Sequence, residues 1–107
     1  MANTQKVVDQ YRIYYMTGGA ESPLIDVFSG SSHVARLSFH AEGAPLPANL
    51  VTQTGVFYLR YRLNQFEDVV GLLRHEKPLY VSFTTPSLIG FIGTSEQEPI
   101  GEEESQR

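Results

Sequence analysis

Between Asn64 and Lys77 the apolar residues recur with the period of an α-helix. Phe66, Val69, Val70 and Leu73 stand at i, i+3, i+4 and i+7, with Leu72 flanking them, so they share one helical face. Gln65, Glu67, Asp68, Gly71, Arg74 and His75 fill the other side. Asn64 with Glu67 three residues on makes a capping-box pattern. Acids in the first turn and bases in the last complement the helix dipole, and Pro78 closes the segment. Gly71 inside this helix costs about 1 kcal/mol relative to alanine. Its presence predicts a close approach to a sheet.

Elsewhere the apolar positions alternate. Val7 to Met16, Leu24 to Phe28, His33 to His40, Val56 to Leu63, Leu79 to Thr84 and Leu88 to Ile92 read as strands. Thr17-Gly18-Gly19 and Ser29-Gly30-Ser31-Ser32 join the first three, which predicts an antiparallel meander. Residues 41–54, with Gly43, Pro45 and Pro47, read as a long loop with room for a short strand at Leu50-Val51-Thr52. The order is β-β-β-loop-β-α-β-β. It predicts an α+β fold, an antiparallel β-sheet with one amphipathic helix packed on one face, within a single domain over 1–95.

One helix covers one face of a sheet. The apolar sets Ala35/Leu37/Phe39, Phe57/Leu59/Tyr61/Leu63 and Leu79/Val81/Phe83 are expected to face it. The opposite parity carries Arg12, Tyr14, Arg36, Ser38, Tyr58, Arg60, Arg62, Tyr80 and Ser82. Parity in the first strand is the least constrained, because Tyr11, Ile13 and Tyr15 also alternate. The candidate binding residues are therefore Arg12, Tyr14, Arg36, Tyr58, Arg60, Arg62 and Tyr80. Tyrosine and arginine are enriched in protein interfaces. Guanidinium groups interleaved with aromatic rings also suit single-stranded nucleic acid. Cross-strand and cation–π pairing can explain the same residues as solvated sheet surface.

Charge refines this picture. The net charge of −4 argues against a nucleic-acid partner, yet residues 1–95 hold seven acids and seven bases. The excess lies in 96–107, with Glu96, Glu98, Glu102, Glu103 and Glu104 against Arg107 alone. That composition predicts a flexible acidic C-terminal tail.

Chemistry is sparse by comparison. Cysteine is absent, which excludes disulfides, thiolate metal sites and thiol nucleophiles. His33, His40 and His75 lack a metal-binding context, and His33 and His40, seven apart on one strand, are expected on opposite faces. Asp26, His33 and a serine can be drawn as a triad, but no nucleophile or phosphate motif accompanies them. No catalytic residue, metal or cofactor is expected. No apolar run reaches the roughly 20 residues of a membrane helix, and the start, Met1-Ala2-Asn3-Thr4-Gln5-Lys6, lacks the apolar core of a secretory signal. A cytoplasmic location is expected. The functional expectation is a small non-enzymatic binding or assembly domain acting through protein contacts of the exposed sheet face. Open sheet edges point to a homo-oligomer, most simply a dimer. Single-stranded nucleic-acid binding is the alternative.

Overall fold

The computed structural model describes residues 2–17 and 23–94. The expected Gly18-Gly19 turn and the acidic tail 96–107 lie outside them. Among the described residues, eight strands and one α-helix follow in the order β1 (Ala2–Val8), β2 (Gln10–Tyr14), β3 (Leu24–Ser29), β4 (Ser32–His40), β5 (Leu50–Val51), β6 (Phe57–Arg62), α1 (Phe66–His75), β7 (Leu79–Thr85) and β8 (Ile89–Gly93). The α+β class and the single helix on a sheet are as the periodicity predicts, and the loop does hold the short strand β5.

The strands divide between two sheets. One has the order β2-β3-β4-β6-β5 and the other β1-β7-β8. The segment read as one strand over Val7–Met16 breaks at Asp9. Val8 pairs with Leu79 in the smaller sheet, while Gln10 pairs with Phe28 in the larger. Asp9 fixes the switch: its N–H donates to the Phe28 carbonyl at 2.9 Å, and its carboxylate accepts from Gly30 N at 2.9 Å. Gly30 has φ +62°, the left-handed conformation that this tight turn between β3 and β4 requires.

The larger sheet is antiparallel except where β4 meets β6, which run parallel. A hairpin cannot join parallel neighbours. The long segment after β4 makes the crossover, and β5 then adds antiparallel to the far side of β6.

Ile25, Val27, Ala35, Leu37, Phe39, Phe57 and Leu59 form the inner face of this sheet and are almost wholly buried. Two elements cover them. The helix sets Val69 and Val70 into the core, with Phe66 edge-on to Phe39 at 5.1 Å. The smaller sheet contributes Val8, Leu79, Val81 and Phe83, and Phe83 stacks on Phe57 at 5.4 Å. The apolar face thus packs against a second sheet as well as the helix. Lys6 points inward from β1, its ammonium 4.7 Å from the Phe57 ring centroid and donating to the Gly55 carbonyl at 3.0 Å.

Two local expectations are corrected. Asn64 does not cap the helix; it lies in a 3-10 turn, Leu63–Gln65, and the Gln65 side chain accepts from Arg62 N at 3.0 Å. Gly71 is not a close-packing site, because a Cβ there would meet open space. Gly90 is that site. A Cβ at position 90 would collide with the buried Leu59 side chain and lie 3.2 Å from the Ser82 carbonyl oxygen.

Gly90→Ala is expected to lower stability by about 1–3 kcal/mol, the usual cost of overpacking. In a Leu59→Ala background the same change is expected to cost less, since both act on one volume. Denaturant unfolding of the four proteins closes that double-mutant cycle.

Candidate functional site

The outer face of the larger sheet is built by cross-strand register. Arg12 stands opposite Asp26, Asp26 opposite Arg36, and Arg36 opposite Tyr58, one row across four strands. The next row runs Tyr14, Leu24, Ser38 and Arg60. Five of the seven candidate residues, Arg12, Tyr14, Arg36, Tyr58 and Arg60, therefore share this surface. Arg62 sits at its end, opposite His40. Tyr80 does not join them; it belongs to the smaller sheet, between Val7 and Gly93.

At the centre is Asp26, whose side chain is 2 % exposed. Arg36 Nε donates to its Oδ1 at 2.9 Å and Tyr14 Oη to its Oδ2 at 2.9 Å. Arg12 and Arg36 each add an Nη2 contact to Oδ2 at 3.3 Å. His33 Nε2 lies 3.2 Å from Oδ1 and 3.1 Å from the Ala35 carbonyl. Both partners are acceptors, so Nε2 carries the proton. Arg36 Nη2 also donates to Tyr14 Oη at 2.8 Å, which closes a three-membered network. A carboxylate has about four lone-pair positions, and these donors fill them.

His33 reaches Asp26 only because the alternation fails upstream of Ala35. Val27 pairs with Ala35 but Phe28 pairs with His33, so Val34 is an extra residue, a β-bulge. Val34 turns into the core and His33 onto the outer face. The expectation that His33 and His40 point to opposite faces is thereby corrected. His40 is buried and its Nε2 lies 3.0 Å from the buried Ser38 hydroxyl, while His75 ends the helix. Among the described residues, no three His, Asp or Glu side chains gather where a metal ion could be held.

Around Asp26 the guanidinium groups and rings alternate. Arg12 lies 5.1 Å from the Tyr14 centroid, and Arg36 lies 6.0 Å from Tyr14 and 5.9 Å from Tyr58. Arg60 also lies over the Tyr58 ring, 5.5 Å from its centroid. Arg60 and Arg62 are also anchors for the loop after β4. Arg62 Nη1 donates to the Ala41 and Ala44 carbonyls at 3.0 and 2.6 Å. Arg60 Nε donates to Ala48 O at 3.3 Å, and its backbone N–H to Asn49 Oδ1 at 2.8 Å.

These contacts set the protonation states. Burial works against the Asp26 charge, but hydrogen bonds from Arg36 and Tyr14 and the charges of Arg36 and His33 outweigh it and hold the carboxyl below its usual range. The Asp26 hydrogen bond is the main cause that raises Arg36. Burial, then the bond to Asp26, raises Tyr14. On the inner face, burial alone pushes Tyr61 up to about 12.

Sequence reasoning names Asp26 only with His33 in a triad that no motif supports, and leaves it out of the candidate binding residues. Its signal was present: a lone carboxylate in the apolar run Leu24-Ile25-Asp26-Val27-Phe28, at the parity opposite to Ile25 and Val27. That parity places it beside Arg12 and Arg36. Comparison of the chain with protein families, with curated proteins and with solved structures returns no match.

A carboxyl with a depressed folded-state pKa stabilises fully above its unfolded value of about 3.9. That contribution is lost as pH falls through the folded value. Asp26→Asn is accordingly expected to cost roughly 3 kcal/mol at pH 7, since it leaves Arg36 without its counter-charge. The variant is also expected to lose less stability than the parent on acidification below about pH 4. Urea unfolding at pH 7 and pH 3 measures both. Arg62→Ala is expected to release the loop, seen as faster amide hydrogen exchange over 41–49 with the exchange of β3 and β4 unchanged.

Proposed function

We propose that this chain is a non-enzymatic docking module and that the outer face of the larger sheet binds an acidic segment of a protein partner. The observation that carries this reading is the Asp26-centred network, which holds Tyr14 and Arg36 in fixed positions within a row of guanidinium groups and rings. Tyrosine and arginine anchors held in place before binding lose little side-chain freedom on association. Among the described residues the face is cationic: it carries Arg12, Arg36, Arg60 and Arg62 against one enclosed carboxylate, Asp26. The Arg12 side chain is 65 % exposed, so donors remain available to a partner. Charge complementarity of this kind favours fast, salt-sensitive encounter.

Protein is favoured over single-stranded nucleic acid by the placement of Tyr58. Base stacking needs an open ring face, and the guanidinium groups of Arg36 and Arg60 both lie over the Tyr58 ring, 5.9 and 5.5 Å from its centroid. Docking rather than catalysis is supported by Asp26 itself, whose acceptor positions are already filled by Arg12, Tyr14, His33 and Arg36.

A fluorescently labelled peptide of alternating Glu and Tyr, and a labelled oligothymidine of similar charge, serve as probes in anisotropy titrations at low salt. The peptide is expected to bind more tightly, to weaken as salt rises, and to lose about tenfold in affinity with Arg12→Ala, equivalent to about 1.4 kcal/mol. Tighter binding of the oligothymidine would replace this reading with the nucleic-acid one. Binding of neither probe, or peptide binding indifferent to Arg12→Ala, would overturn it.

A further inference from the structure

The two sheets leave four edges, and three are protected. The edge strand β1 turns Lys6 inward, β2 carries Arg12, and β5 is two residues long. Inward charges, edge charges and short strands are the devices by which proteins prevent edge-to-edge pairing. β8 has none of them. It is a five-residue edge strand, Ile89-Gly90-Phe91-Ile92-Gly93, paired among the described residues only with β7. No charged residue occurs anywhere between Lys77 and Glu96, so the whole β7–β8 hairpin is uncharged. Ile89 is 61 % and Phe91 45 % exposed.

We infer that β8 pairs with β8 of a second copy of this chain, antiparallel and centred on Phe91, joining the two smaller sheets into one six-stranded sheet. The sequence of the strand is self-complementary in that register. Phe91 meets Phe91, Ile89 meets Gly93 and Gly90 meets Ile92, so each isoleucine faces a glycine and no like charges are brought together. An isologous pair of this kind closes on itself and leaves no free β8 edge.

Edge hydrogen bonds alone give less than the roughly 800 Å² per partner of a stable interface. The footprint extends beyond the strand. Asn49 Nδ2 donates to Leu88 O at 3.0 Å, which sets the exposed Leu50 and Val51 beside the exposed Leu88 at the start of β8. The footprint takes in β8 of the smaller sheet and β5 of the larger, at the edge opposite Arg12 on β2, so self-association and the Arg12-dependent docking proposed above are separable.

Sedimentation velocity of the full chain over about 1–200 µM, a range that brackets micromolar association, tests the pairing. A species of twice the 12.0 kDa chain mass is expected. Ile89→Lys and Phe91→Lys are each expected to raise the dissociation constant at least tenfold while leaving the circular dichroism spectrum and binding of the acidic peptide unchanged. A monomer at every concentration, or a dimer indifferent to both lysines, would overturn the proposal. The absence of native cysteine allows the register to be read directly. Under mild oxidation Phe91→Cys is expected to cross-link to itself, and Ile89→Cys to cross-link with Gly93→Cys but not with itself. Self-linkage of Ile89→Cys as efficient as that of Phe91→Cys would exclude pairing centred on Phe91.

Discussion

The inner face of the larger sheet needs more cover than one short helix gives, and the rest of the architecture follows from that need. Five strands at about 4.8 Å spacing place the outer strand axes about 19 Å apart. A ten-residue helix is about 15 Å long and about 10 Å wide. It covers the Phe39 and Tyr61 end of the sheet and leaves Phe57 and Leu59 to be covered by something else. The chain supplies that cover by diverting its own first strand. β1 leaves the larger sheet at Asp9 and pairs with β7, which returns after the helix carrying Leu79, Val81 and Phe83. Gly90 then lets β8 approach Leu59 closely enough to seal the layer.

The outer face inherits its chemistry from this arrangement. Each strand that turns an apolar residue inward must turn its neighbour outward, so Ile25 and Val27 fix Asp26 on the far side of β3. Once there, Asp26 is enclosed on both flanks by the side chains of β2 and β4, and a buried carboxylate is tolerated only with its acceptors filled. Tyr14 and Arg36, with Arg12 and His33, fill them. The parallel pairing of β4 with β6 carries the row onward by placing Tyr58 beside Arg36. A requirement of burial thus produces an ordered array of phenol and guanidinium groups at the surface.

What the sequence made legible was what local periodicity encodes. The helix over Phe66–His75 and the strand positions of β3, β4, β6, β7 and β8 follow from spacing of 3.6 or 2. The parity of β6, with Tyr58 and Arg60 outward, follows from the same rule. What stayed hidden depends on contacts between distant residues. Nothing near Asp9 announces a change of sheet, because its carboxylate acts through Gly30. The bulge at Val34 shows in the sequence only as two adjacent apolar residues, Val34 and Ala35, and a short apolar side chain at an outward position does not by itself signal an inserted residue. Gly71 and Gly90 are equivalent as letters, and only the position of Leu59 distinguishes them. Tyr80 has the parity of Tyr58 but belongs to another sheet, which strand order alone does not reveal.

The division into two sheets also separates two kinds of surface. Arg12, Arg36, Arg60 and Arg62 all lie on the larger sheet, while the uncharged hairpin of β7 and β8 forms two thirds of the smaller one. Had all strands formed a single sheet, these side chains would have shared one face, and each contact with a partner would have desolvated guanidinium groups beside Ile89 and Phe91. Burying a charge unpaired is costly, whereas burying an apolar edge is favourable. With the sheets back to back, the cationic surface keeps its internal carboxylate, and the apolar edge strand β8 lies on the other sheet. The switch at Asp9, which completes the core, is therefore also what keeps the two outer chemistries apart.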